Sequence, residues 1–186
     1  MNTRERIEKA IIYTVFICYI LLLLKILFFS RVSFFEMFDA QREIDRSFNI
    51  IPFQSIIEFL SGKTENLRDF SFANLAGNIA IFVPLGFYIP FLKKDNHKGS
   101  GVATCVLIVF VVSIAAEIIQ WAFGIGTPDI DDVILNCFGG FVGILVCKLF
   151  MHLIKNEKII YTIIAIISII GLPVIIYYLF IIKMRF

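Results

Sequence analysis

Five stretches of the chain run with almost no charge, at about residues 10–30, 72–92, 101–123, 131–152 and 158–182, and the polar residues gather between them. A hydrocarbon core about 30 Å thick is crossed by ~20 residues of helix. A single segment in lipid must satisfy its own backbone N–H and C=O groups, which a helix does. The pattern therefore predicts an all-α integral membrane protein, a bundle of about five transmembrane helices with one long loop after the first. The first run follows a basic start, "MNTRERIEKAIIYTVFICYILLLLKILFF". Its apolar stretch is longer than a signal-peptide core and no small-residue cleavage site follows it. It is read as an uncleaved span.

The long connection, "RVSFFEMFDAQREIDRSFNIIPFQSIIEFLSGKTENLRDFSF", mixes aromatic residues with charges of both signs. It is too aromatic for a disordered segment and suits an interfacial helix or a piece folded onto the bundle. Within it, "IIPFQSIIEFL" has apolar residues at helical spacing and reads as a short amphipathic or re-entrant element. In the second span, Pro84, Gly86 and Pro90 predict a kink. In the fourth, Gly139 and Gly143 form a GxxxG pair, and Gly140 and Gly77 are further sites for close backbone approach.

Composition strengthens the membrane assignment. Of 186 residues 59% are hydrophobic, against about 45–50% in a soluble domain, and the mean hydropathy is +0.90. A net charge of +2 gives no ground for a nucleic-acid partner; the partner composition implies is the lipid bilayer. Cys18, Cys105, Cys137 and Cys147 all fall inside the apolar runs without a CxxC pair and read as small buried hydrophobes. With the N-terminus cytoplasmic, the inner flanks hold Arg4, Arg6, Lys9, Lys93, Lys94, Lys98, Lys148, Lys155 and Lys158. The outer flanks then hold Arg31, Arg42, Arg46, Lys63, Arg68, Lys183 and Arg185. The basic residues are denser in the short inner segments, which favours a cytoplasmic N-terminus, with the long loop and the acidic stretch "TPDIDD" outside the cell.

Polar residues inside the apolar runs are costly in hydrocarbon and mark partners or water. Asn74 and Asn78 share one face of the second span, Glu117 and Gln120 one face of the third with Ser113 a turn below, and Asp132 and Asn136 one face of the fourth. At 1.5 Å per residue, Asn78, Glu117 and Asn136 each lie roughly 7–10 Å in from the same side. Three pairs at one depth suggest a shared cavity; interhelical hydrogen bonding by the amides is the plainer alternative. Glu117, an intramembrane carboxyl, stands out as a proton donor or acceptor.

The acidic stretch has two local readings. Thr127 with Pro128 at the first helical position, or Asp129 with Asp132 in a capping-box relation, starts the fourth helix, and acids there complement its dipole. Alternatively Asp129, Asp131 and Asp132 bind a divalent cation, although the EF-hand pattern is absent; no other cofactor is expected. Asp132 fits the capping role less well, since it shares a face with Asn136 and would look across at Glu117.

Three blocks, "RSFNIIPFQSI" (46–56), "NLAGNIAIFVPLGFYIPFL" (74–92) and "SIAAEIIQWAFGIGTPDIDDVILNCFGGFVG" (113–143), taken in this order, resemble the VanZ-like family of small bacterial membrane proteins. The resemblance covers about residues 46–143 of what reads as a single membrane domain over 1–186; the first and last spans match only as generic hydrophobic helices. It places the family's recurrent polar positions on Arg46, Asn49, Asn74, Asn78, Glu117, Gln120, Asp129, Asp131, Asp132 and Asn136. Many members carry an Arg shortly before the acidic stretch, where Thr127 and Pro128 stand here, so an anion-binding role for that Arg does not transfer. The resemblance implies a link to resistance against teicoplanin-type glycopeptide and lipoglycopeptide antibiotics.

Two functions of different classes follow. One is a non-enzymatic protein that binds an amphiphile, such as a lipid-linked cell-wall precursor or a lipoglycopeptide, in an outward-facing pocket lined by Glu117, Asp132, Asn78 and Asn136. The other is an enzyme modifying a lipid or lipid-linked precursor, with Glu117 and Asp132 as an acid–base pair. Neither HExxH nor G-x-S-x-G is present to support catalysis, and His97 and His152 fall on the cytoplasmic side. A transporter is a weaker third reading, because no internal repeat is evident.

Overall fold

A computed structural model describes residues 2–29, 48–54, 57, 65–93 and 101–180, with backbone alone over 65–73. Its helices are α1 (Thr3–Phe29), α2 (Glu65–Leu92), α3 (Val102–Ala122), α4 (Ile130–Leu153) and α5 (Glu157–Phe180). All five are long and apolar enough to cross a membrane, α2 through its part Asn74–Leu92. Among the described residues there is no strand, only one isolated β-bridge. The expected all-α membrane fold is the one adopted. Helix α2 begins ahead of the expected position because nothing between Glu65 and Phe72 is Gly or Pro, and it runs on past Pro84 and Pro90.

The chain divides into two compact units, one built on α1 and α5 and the other on α2, α3 and α4. In the first, α1 buries Ile12, Val15, Tyr19 and Leu23, one stripe at spacings of three and four, and α5 buries Ile160, Ile164, Ala165 and Ser168. Polar contacts at both ends show that the two helices run parallel. At their starts, Arg4 pairs with Glu8 (2.9 Å) and donates to Thr162 Oγ1 (3.0 Å), while Lys158 pairs with Glu5 (3.6 Å). At their ends, Lys25 Nζ donates to the carbonyls of Tyr178 (3.1 Å) and Leu179. Those carbonyls belong to the last turn of α5, where no intrahelical donor remains for them. This explains a lysine inside an apolar run that spacing alone left without a purpose: its stem packs along the helix and its ammonium caps a neighbour.

The second unit is held by glycines. A Cβ on Gly139 would lie 2.1 Å from Ile79 O, one on Gly143 2.0 Å from Val83 O, and one on Gly86 1.9 Å from Gly140 O. The backbones of α2 and α4 therefore touch, as small residues permit in lipid, where no hydrophobic force drives helices together. Gly140 serves α3 as well, since its Cβ would meet Val109 Cγ1 at 2.4 Å. Gly77 departs from the expectation: nothing lies within 4 Å of its Cβ, because it sits on the exposed side of α2. The turn from α3 to α4 is equally local in origin. Gly124 takes φ 60°, letting Gly124 N–H reach Trp121 O (3.0 Å) and Ile125 N–H reach Gln120 O (2.8 Å). This pair of bonds closes the C-terminus of α3 and reverses the chain within a few residues.

Candidate functional site

The start of α4 gathers the polar residues singled out above, and it does so by giving each acid a different task. Asp129 Oδ1 accepts the N–H of Asp131 at 2.8 Å. That is the N-cap bond, two residues ahead, so the capping reading holds for this residue. Its other oxygen accepts from Asn49 Nδ2 at 3.1 Å. In a capping box the residue three further on would return the favour to the N-cap N–H. Asp132 occupies that place but is engaged elsewhere; the N–H of Asp129 donates instead to Glu117 Oε2 of α3, at 3.3 Å.

Released from the cap, Asp132 Oδ1 accepts from Asn78 Nδ2 at 2.5 Å and from Asn74 Nδ2 at 3.4 Å. The expectation that Asp132 looks across at Glu117 is thereby corrected. Its Oδ1 turns to α2, because the glycine contacts bring α2 against the same side of α4. One turn deeper, Asn136 donates to Ser113 Oγ at 3.0 Å and is 1% exposed. Asn136 Oδ1 is buried with no hydrogen-bond partner among the described residues. Gln120 is also buried, on the inward side of α3. The three expected pairs therefore do meet in one layer, joined by bonds from α4 to both neighbours.

Asp131 takes a role that spacing did not indicate. It is wholly buried, and its Oδ1 accepts the backbone N–H of Phe53 at 2.5 Å. Asn49 lies in a parallel bridge with Asp129, its N–H on Pro128 O and its carbonyl accepting from Ile130 N, both at 3.0 Å. The N-I-I-P-F block and the D-I-D-D block are thus two halves of one contact. The only hint in the sequence was residue type: Asn and Asp side chains readily bond backbone groups. Removing the carboxylate with Asp131→Ala orphans a backbone donor, for a loss of about 2 kcal/mol. Asp131→Asn, which keeps an acceptor, should lose far less. Midpoints of thermal unfolding in detergent measure the difference, and equal midpoints would refute the contact.

The three aspartates aim their oxygens at separate partners, and among the described residues no three acids, His or Cys converge as a metal-holding group. Arg46 lies outside the described residues.

Comparison with known proteins agrees with this geometry. The VanZ/LLP1 family model matches residues 16–151. Protein VanZ of Enterococcus faecium is 37% identical over 99 residues, which are 53% of this chain and 51% of that protein. The chain thus spans about half the length of that curated relative. No solved structure matches it. The match takes in Asn49, both α2 asparagines, Glu117 and the whole start of α4, and on it this multi-helix membrane chain belongs to the VanZ/LLP1 family.

Proposed function

We propose that this protein binds an amphiphile, a lipid-linked cell-envelope component or a lipoglycopeptide, through the polar layer at the start of α4, and that it acts in resistance of the teicoplanin type. The observation that carries the reading is the convergence of Asp132 with Asn74 and Asn78, beside Glu117 held against the first turn of the same helix. Polar groups at this depth are expensive in a membrane, and more of them gather here than are needed to join three helices. In this reading the acidic end faces the outside of the cell, as the distribution of Lys and Arg suggests, where such a ligand would arrive.

Expression in a teicoplanin-susceptible Gram-positive host tests it. Wild type should raise the inhibitory concentration several-fold, and Glu117→Gln and Asp132→Asn should return it toward that of the empty host. Unchanged sensitivity in all three strains, with the proteins present in the membrane, would sink the resistance role. Extracted lipids from the same strains separate binding from acid–base chemistry. A modified lipid or precursor present with wild type and missing from both variants would replace binding with catalysis.

A further inference from the structure

We propose that the segment from Phe48 to Ile57 is an in-plane lipid anchor, lying in the bilayer interface at the acidic end of α4 with its apolar side chains among the lipids. The inference rests on how this segment is held and does not depend on any ligand in the polar layer.

The side chains come first. Phe48, Ile50, Ile51, Phe53 and Ile57 are each more than half exposed, Ile50 at 76%. So many exposed large apolar groups in one short non-helical stretch form a patch that a water-facing loop does not carry. The backbone is the opposite case, because its donors are used up. The N–H of Asn49 bonds Pro128 O (3.0 Å), that of Ile51 bonds Asn49 Oδ1 (3.4 Å), and that of Phe53 bonds Asp131 Oδ1. Pro52 has no N–H, Gln54 donates to Ile51 O (3.4 Å), and Ile57 donates to Phe53 O (2.9 Å). Irregular backbone is tolerated at membrane depth only when its polar groups are satisfied by protein. The buried Asp131 and the amide of Asn49 meet that condition here, and this gives a physical reason for placing acids where they reach N–H groups.

Position supplies the third observation. The segment is bonded to the first residues of α4, beside the last residues of α3, and these are the ends of two membrane-spanning helices. Phe48 packs on Trp121 with ring centroids 5.5 Å apart, and Trp121 and Phe123 are themselves exposed. Aromatic rings at the ends of spans sit at headgroup level, so the patch continues the lipid-facing surface of α3 in the plane of the membrane. Phe53 holds a left-handed φ of 67° directly after Pro52. L-residues with bulky side chains avoid this region, so its presence marks a turn that the Asp131 bond maintains.

The chain has one Trp, which permits a direct measurement of depth. In a Trp121→Phe background, which keeps a ring against Phe48, a single reporter is introduced as Ile50→Trp or, separately, Ile57→Trp. Both positions are exposed, so neither replacement disturbs packing. The full-length protein is reconstituted in phosphatidylcholine vesicles, with lipids brominated near the headgroup end of the acyl chain or with aqueous iodide as quencher. Both reporters should lose most of their emission to the bromolipid and little to iodide, as for side chains roughly 5–10 Å below the headgroup boundary. Strong iodide quenching without bromolipid quenching would place the segment in water and overturn the proposal. Protection from both quenchers would mean that protein covers it, a second copy or another part of the chain, and would overturn it equally.

Discussion

Gly143→Ile is expected to abolish the folded α2–α3–α4 unit. A single Cβ at this position would lie 2.0 Å from Val83 O and 2.8 Å from Phe87 N, and both are backbone atoms that cannot rotate away. The helices would have to separate, and the neighbouring contact of Gly139 with Ile79 O would be lost with them. Overpacking a core ordinarily costs about 1–3 kcal/mol, and a clash with main chain belongs at or above the top of that range. Against a total stability of about 5–15 kcal/mol, this is enough to leave little folded protein. Gly143→Ala should show the same direction with a smaller loss, since most of the clash arises at Cβ itself. Gly77→Ala is the matched control on α2, where the added carbon meets nothing within 4 Å; it should be neutral or slightly stabilising, because Ala is the better helix former. Monodispersity on size exclusion and the unfolding midpoint in detergent report the series. If Gly143→Ala unfolds together with Gly77→Ala, backbone contact between α2 and α4 is wrong.

Asp132→Leu should have the next largest effect, and Asp132→Asn should separate its causes. Leucine removes the oxygen that accepts from both Asn78 and Asn74. Interhelical hydrogen bonds in membranes average only about 0.6 kcal/mol when broken, because the freed group finds another partner. Here the two amides lie on one helix face in the span, and loss of their shared acceptor is closer to orphaning a buried donor, about 1–3 kcal/mol for each. We therefore expect a loss of about 2–4 kcal/mol for Asp132→Leu. Asparagine retains an amide oxygen at the same place and should keep the midpoint within about 1 kcal/mol of wild type. A resistance phenotype lost in Asp132→Asn at near-normal stability would then assign the carboxylate itself to function. Should Asp132→Leu and Asp132→Asn unfold alike, the bonds to α2 contribute nothing and the polar layer is looser than described.

Much of the candidate site was legible from residue type. An Asn, Glu or Asp within an apolar run stands out because hydrocarbon penalises it, and Asn74, Asn78, Glu117, Asp132 and Asn136 were all found in that way. Capping by Asp129 was readable too, because it depends on residues two positions apart. What was not readable is which polar group meets which. Asp131 resembled a first-turn acid like its neighbours, yet it is the fully buried one, bound to a backbone N–H 78 residues earlier. Glu117 was expected to face Asp132 and instead receives the N-cap N–H of α4. Lys25 was passed over inside its apolar run because its partners are carbonyls of the last helix.

The sequence by itself determined the number and the limits of the membrane-crossing helices, their glycine contact face, and the list of residues too polar for lipid. These properties follow from local composition and from a helical period of 3.6 residues. Only the tertiary structure decided the pairing: Asp129 and Asp131 to the segment after Phe48, Asp132 to α2, Asn136 to α3, and Lys25 to α5. The physical reason is that a polar side chain in lipid must find a partner but carries no address for it. The address is set where Gly139 and Gly143 let α4 lie directly on the backbone of α2, a contact that fixes how each helix is turned toward its neighbours.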